Sequence, residues 1–211
     1  MMKRIIFVAT ALLLFGVVNA QKVKFGFKAG VNIATQRITL PNSPGINFDK
    51  GNVIGVNVGF FVDLKLVPKL FFQPELLYSM QGAKLTAKIN GVSGSAEDTA
   101  TTNYLIVPLT VKYYINNELN LQAGPQVGFL LSANDKVVSS IQGLSSSSSD
   151  SKSSYNTIDF GLNFGLGYDI TKNISLSGRY NLGLSDLEKT LPTGYTPSKN
   201  RVLSFSLGYK F

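Results

Sequence analysis

The sequence has 211 residues, enough for one domain, with a formal net charge of +8 and neither cysteine nor histidine. No disulfide, thiolate metal site or lipid-modified N-terminal Cys can form, and the commonest general base and metal ligand is missing. Charged residues make up 15%, against roughly 25% in average soluble domains, while Gly, Phe and Tyr are plentiful, a mixture that suits strands and turns better than helices.

Lys3 and Arg4 precede an apolar stretch, Ile5 to Val18, which ends in Val18-Asn19-Ala20. A basic start, a short apolar run and small residues before the cut predict a signal peptide, 1–20, and a mature chain from Gln21 carrying +6. The run is short for a helix crossing a ~30 Å hydrocarbon core, and no later stretch is longer. The remaining basic residues are dispersed, which argues against a nucleic-acid partner.

From residue 23 the apolar period is 2. Residues 23–34 set Val23, Phe25, Phe27, Ala29, Val31 and Ile33 against Lys24, Gly26, Lys28, Gly30 and Asn32. The same alternation returns at 52–66, 70–82, 103–115, 119–132, 156–170, 174–186 and 201–211. Short turns are predicted at Val67-Pro68-Lys69, Asn116-Asn117-Glu118 and Thr171-Lys172-Asn173, and long connections near 35–51, 83–102, 133–155 and 187–200. Three short turns and four long loops predict an all-β fold, an eight-stranded antiparallel up-and-down transmembrane barrel over 21–211. In outer-membrane barrels the short turns are periplasmic, which puts both termini there. The serine run from Ser145 to Ser149 reads as a flexible solvated tip.

One face of each strand is large and apolar; the other is rich in Gly and poor in charge. A soluble ligand-carrying barrel would turn the apolar face inward and present a polar surface to water. A narrow barrel filled by its own side chains explains the glycines instead: they point inward and make room for Phe61, Tyr104 and Tyr114. The apolar face then meets outer-membrane lipid. Pro74, Pro108 and Pro125 fall inside strand patterns, and each should mark a bulge or an interrupted ladder bond.

The inward face carries Lys28, Glu75, Lys112 and Arg179, all a few residues from the short-turn end. Counting from strand ends puts the four at similar depth, with Glu75 ionised and touching at least one of the cations. A carboxylate among three cations can be an anion site, a selectivity element or a network that satisfies buried charge. No catalytic, cofactor or metal motif accompanies it. Hydrolysis depends on a positioned base, and no spacing suggests one, so the chain does not read as an enzyme.

Several phrases resemble the PorT-like outer-membrane β-barrel family: Gly26 to Asn32 (GFKAGVN), Gln73 to Tyr78 (QPELLY), Tyr104 to Leu109 (YLIVPL), Ala123-Gly124-Pro125, Arg179 to Leu184 (RYNLGL) and the ending Asn200 to Phe211. The resemblance covers nearly the whole mature chain and implies an outer-membrane location; one family member is tied to protein secretion. Tyr209 and the terminal Phe211 resemble the C-terminal signal read by the outer-membrane assembly machinery. Asp98-Thr99-Ala100 resembles a short O-glycosylation signal, with Thr99 the acceptor, in an expected outward loop. The function expected is a structural or interaction scaffold with a filled lumen, accessory to secretion or envelope assembly, meeting a periplasmic or cell-surface protein. The alternative is a narrow porin-like channel for small solutes.

Overall fold

The computed structural model describes residues 23–39, 44–141, 145–190 and 196–211. The predicted signal peptide lies outside the described residues. Nine strands follow in chain order: β1 (Val23–Thr39), β2 (Ile46–Val67), β3 (Leu70–Ile89), β4 (Ala96–Tyr114), β5 (Leu119–Ser139), β6 (Ser147–Asp150), β7 (Ile158–Asp169), β8 (Ile174–Gly183) and β9 (Thr196–Lys210). Eight of them close a ring, β1-β2-β3-β4-β5-β7-β8-β9 and back to β1, every pairing antiparallel. Closure leaves the eight with no free edge across the barrel wall.

Polarity decides which face is inside. Phe25, Ile54, Phe60 and Phe160 are 62%, 76%, 69% and 53% exposed on the outer surface, while Asn32, Thr110 and Asn200 are fully enclosed. An outer belt of this kind is stable in hydrocarbon, where a closed ladder pairs backbone groups that water would otherwise serve.

Six of the eight wall strands are longer than the alternation predicts, mostly at the long-connection end, while β7 and β8 are shorter than their predicted segments 156–170 and 174–186. β1 runs to Thr39, β3 to Ile89, β4 begins at Ala96 and β5 reaches Ser139. Much of the expected loop sequence at 35–51 and 83–102 is therefore strand. Beyond the apolar belt both faces meet water or polar neighbours, as in Thr35-Gln36-Arg37 and Glu97 to Thr102, so the two-residue period fades while backbone pairing continues. Thr99 is accordingly not in a loop: it is paired with Lys84 on β3 and Lys136 on β5.

The serine run also departs from expectation. Ser147–Asp150 form β6, which pairs with Asn134 to Val137 of β5. β7 pairs with β5 only as far as Phe129, so β5 would project an open edge above it. β6 takes over that edge where β7 leaves it.

The three short turns stand where expected. Pro68 and Lys69 make a two-residue turn, with Lys69 in the left-handed region at φ 71°. Asn116 Oδ1 accepts from the backbone N–H groups of Glu118 (2.9 Å) and Leu119 (2.6 Å). Thr171 Oγ1 accepts from those of Asn173 (3.2 Å) and Ile174 (2.9 Å). Such side-chain bonds replace the ladder partner a turn removes.

Each strand proline marks an interruption and none a bulge. Pairing lapses at Val62 and Asp63 opposite Pro74, at Glu75 and Leu76 opposite Pro108, and at Leu109 and Thr110 opposite Pro125. In all three ladders it resumes in the same register. A proline offers no N–H to its neighbour, and one missing bond in a closed ring does not create an edge.

Candidate functional site

The lumen is filled in layers. Above the short turns lies a charged layer. Lys112 Nζ donates to both oxygens of Asp63 at 3.0 Å. Lys210 Nζ lies 2.7 Å from Asp169 and 3.7 Å from Asp63, and Tyr114 OH donates to Asp169 at 2.8 Å.

The next layer centres on Glu75, whose side chain is fully enclosed. Its Oε1 accepts from Lys28 Nζ at 2.9 Å and Arg179 Nη2 at 2.6 Å. Arg179 Nε donates to Gln122 Oε1 at 2.6 Å, and Gln122 Nε2 to Asn120 at 2.8 Å. Lys28 also sits 5.3 Å from the Phe61 ring centroid. One carboxylate between two cations, anchored by an amide, compensates charge that would be costly in so dry a space.

Lys112 does not join Glu75. Its ladder partner on β3 is Phe71, four residues short of Glu75 and so about 13 Å along the strand. Strand ends in a tilted, staggered barrel do not share a height, so counting from them misplaced Lys112 by a layer. Its partner Asp63, with Asp169 and Lys210, was absent from the expected cluster. Alternation put all three on the inward face, yet near strand ends that position reads equally well as solvent-exposed.

Above the charged layers comes an amide and hydroxyl layer. Asn57 and Ser204 each donate to Asn32 Oδ1 at 2.8 Å, Asn32 Nδ2 donates to Ser79 at 3.0 Å, and Ser206 donates to Asn57 at 2.8 Å. Asn163 joins Gln126 (3.0 Å) to Asn181 (3.1 Å). Towards the long-connection end the lumen holds an apolar cluster of Leu77, Tyr104, Ile106, Leu130, Ala133, Tyr155 and Leu187. Only some inward glycines make room for rings: a Cβ at Gly30, Gly55, Gly59 or Gly124 would instead lie 2.0–2.2 Å from a neighbouring strand's carbonyl oxygen, and none of the described glycines faces Tyr114. A Cβ at Gly26 would lie 2.3 Å from Phe61, and one at Gly128 would lie 3.3 Å from Tyr104.

Cavities follow this layering. A cavity of about 580 Å³ opens at the short-turn mouth, floored by Asp63, Asp169 and Lys210. Inside the barrel the voids shrink to about 10 Å³ beside Lys28 and Arg179 and about 30 Å³ among the amides, room for a water molecule or so. On the outer wall Tyr209 and Phe211 meet edge to face at 5.5 Å, and the Phe211 N–H donates to Phe25 O at 2.8 Å.

The fold has counterparts among solved structures. Ail of Yersinia pestis, in complex with the heparin analogue sucrose octasulfate, aligns over 90% of this chain and 100% of its own at 13% identity and TM-score 0.49. Neisserial surface protein A aligns over 90% and 100% at 15% identity and TM-score 0.47. The Escherichia coli outer membrane protease OmpT aligns over 90% and 93% at 11% identity and TM-score 0.50. At these identities the likeness concerns the fold. No curated protein matches the sequence. The model of the outer membrane protein beta-barrel domain matches residues 19–189, most of the chain. With the closed eight-stranded ring and its apolar belt, that match makes the chain a member of the outer-membrane β-barrel domain family.

Proposed function

We propose that this barrel is a non-conducting scaffold of the outer membrane, accessory to secretion or envelope assembly, whose exposed ends meet a protein partner. The observation that carries this reading is the filled lumen. Stacked charged, amide and apolar layers leave internal voids of about 10 and 30 Å³. A solute path needs a continuous water column, which voids of one or two waters do not supply. The narrow porin-like alternative has no comparable support.

The same reading includes cleavage after Ala20, termini on the periplasmic side, and Tyr209 with Phe211 as the recognition end for the assembly machinery. It includes no catalytic step: the buried cations Lys28, Lys112, Arg179 and Lys210 are paired with carboxylates, and the buried Asp159 accepts from Ser185 and Asn200. Descent from the PorT-like branch fits the motifs quoted above. Thr99, on a polar strand extension beyond the belt, remains the position for a surface glycan.

The test is photocrosslinking in intact cells, with the photoreactive residue at Asn117 or Lys172 on the short turns and at Ser148 at the other end. A discrete protein adduct from one end is the expected result. Adducts to lipid alone from both ends would overturn the scaffold reading.

A further inference from the structure

We propose that the cavity at the short-turn mouth is a docking site for an acidic peptide segment of a partner protein, an inference that rests on the scaffold reading and places the partner on the barrel. At about 580 Å³ the cavity falls within the usual ~300–1,000 Å³ of built ligand sites. The charged layer forms its floor, and the void beyond that layer is only about 10 Å³.

Its charge is unbalanced. Lys24, Lys65, Lys69 and Lys172 line it together with Lys210. The floor carboxylates are already held, Asp63 by Lys112 and Asp169 by Lys210. Among the described residues none of Lys24, Lys65, Lys69 and Lys172 forms an ion pair. Glu118, the other acidic lining residue, accepts from Tyr168 OH at 3.2 Å. Four unpaired lysines against the one unpaired carboxylate of Glu118 leave the cavity net positive, which attracts negative charge.

Backbone geometry points the same way. Lys69 holds φ at 71° in the two-residue turn after Pro68, where glycine is the unstrained choice. A lysine kept in that conformation puts a cation on the rim at a conformational cost, and such outliers gather at functional positions.

The chemistry favours a peptide. By strand alternation Lys24 and Lys65 belong to the lumen face, away from bilayer headgroups. The lysines span β1, β2 and two separate turns, so a small ion meets one or two of them whereas an extended segment reaches along the arc. Phe71 and Tyr114, with ring centroids 5.1 Å apart, add an apolar wall for a side chain between the carboxylates.

The experiment uses the full mature barrel in lipid nanodiscs and a fluorescein-labelled hexapeptide of alternating glutamate and leucine, read by anisotropy. Binding should weaken as salt rises from about 50 to about 300 mM. The triple variant Lys24→Glu, Lys69→Glu, Lys172→Glu should weaken it roughly tenfold or more. A charge-matched triple at the other end, Lys84→Glu, Lys88→Glu, Lys136→Glu, should leave it unchanged. Equal loss in both triples would overturn the proposal, because bulk charge would then explain the binding. Citrate binding as tightly as the peptide would overturn the peptide assignment. If the first triple does not fold, Lys69→Gly relieves the turn and should still weaken binding; unchanged binding there counts against the proposal. Crosslinks retained in cells with no peptide binding would remove the docking site and leave the scaffold, whereas loss of all protein crosslinks would remove the scaffold.

Discussion

Glu75 and Arg179, 104 residues apart in sequence, meet inside the barrel at 2.6 Å. Neither has water to fall back on: the glutamate side chain is fully enclosed and the arginine side chain is 9% exposed. The contact exists only when β3 and β8 stand in one closed wall, so it reports barrel closure. Glu75→Ala leaves Lys28 and Arg179 without their counter-charge, and removing one partner of a buried pair costs about 3–5 kcal/mol. The urea unfolding midpoint in lipid should fall accordingly. An unchanged midpoint would mean that the lumen is wet enough to solvate both cations.

The two charged layers should behave as separate units. A double-mutant cycle of Asp63→Asn with Lys112→Met should show a coupling energy of roughly 0.5–3 kcal/mol. Glu75→Gln with Lys112→Met should be additive within about 0.5 kcal/mol, because the two side chains belong to different layers. Strong coupling in the second pair would merge the layers into one network.

Gly26 tests the filling. A valine there would drive its Cβ to within 2.3 Å of Phe61 and 2.5 Å of Tyr209 O. Overpacking of this kind costs about 1–3 kcal/mol. The double variant Gly26→Val, Phe61→Leu should recover part of the loss, seen as a higher unfolding midpoint than for Gly26→Val alone.

The outer extension should respond to pH. Burial raises the carboxyl pKa of Asp135, with the charge of Glu188 adding to it; burial and then the charge of Asp135 raise that of Asp98. Raised folded values mean that the stabilising contribution is full below the ordinary aspartate pKa and is lost as pH rises through the folded values. Hydrogen exchange at residues 133–139 should therefore be slower, after correction for intrinsic rates, at about pH 4.5 than at about pH 7. Asp135→Asn should flatten that difference; a difference that persists undiminished would assign the effect elsewhere.

The transmembrane wall was legible because lipid outside and a crowded lumen inside impose two environments, and alternation records both. Val23 to Ile33 and Leu203 to Phe211 read cleanly for that reason. Where β1, β3, β4 and β5 leave the bilayer the contrast between faces disappears, so Gln36, Lys88 and Thr99 looked like loop. β6 was hidden for another reason: a run of serines carries almost no strand preference, and its pairing is dictated by the edge that β7 leaves open on β5. Parity gave Lys28, Glu75 and Arg179 a common face, and the count from strand ends gave them a common height. The assignment of Lys112 to Asp63 needed the stagger between strands, which is a property of closure and is not written in any one strand.

Single-channel recording of the purified barrel in a planar bilayer reads directly whether the lumen is sealed by its own side chains. A lumen filled in this way gives a silent baseline with no stable opening, since voids of about 10 and 30 Å³ are too small to carry a continuous water column. Reproducible ohmic steps from the wild-type protein would contradict it and hand the molecule to the porin-like reading.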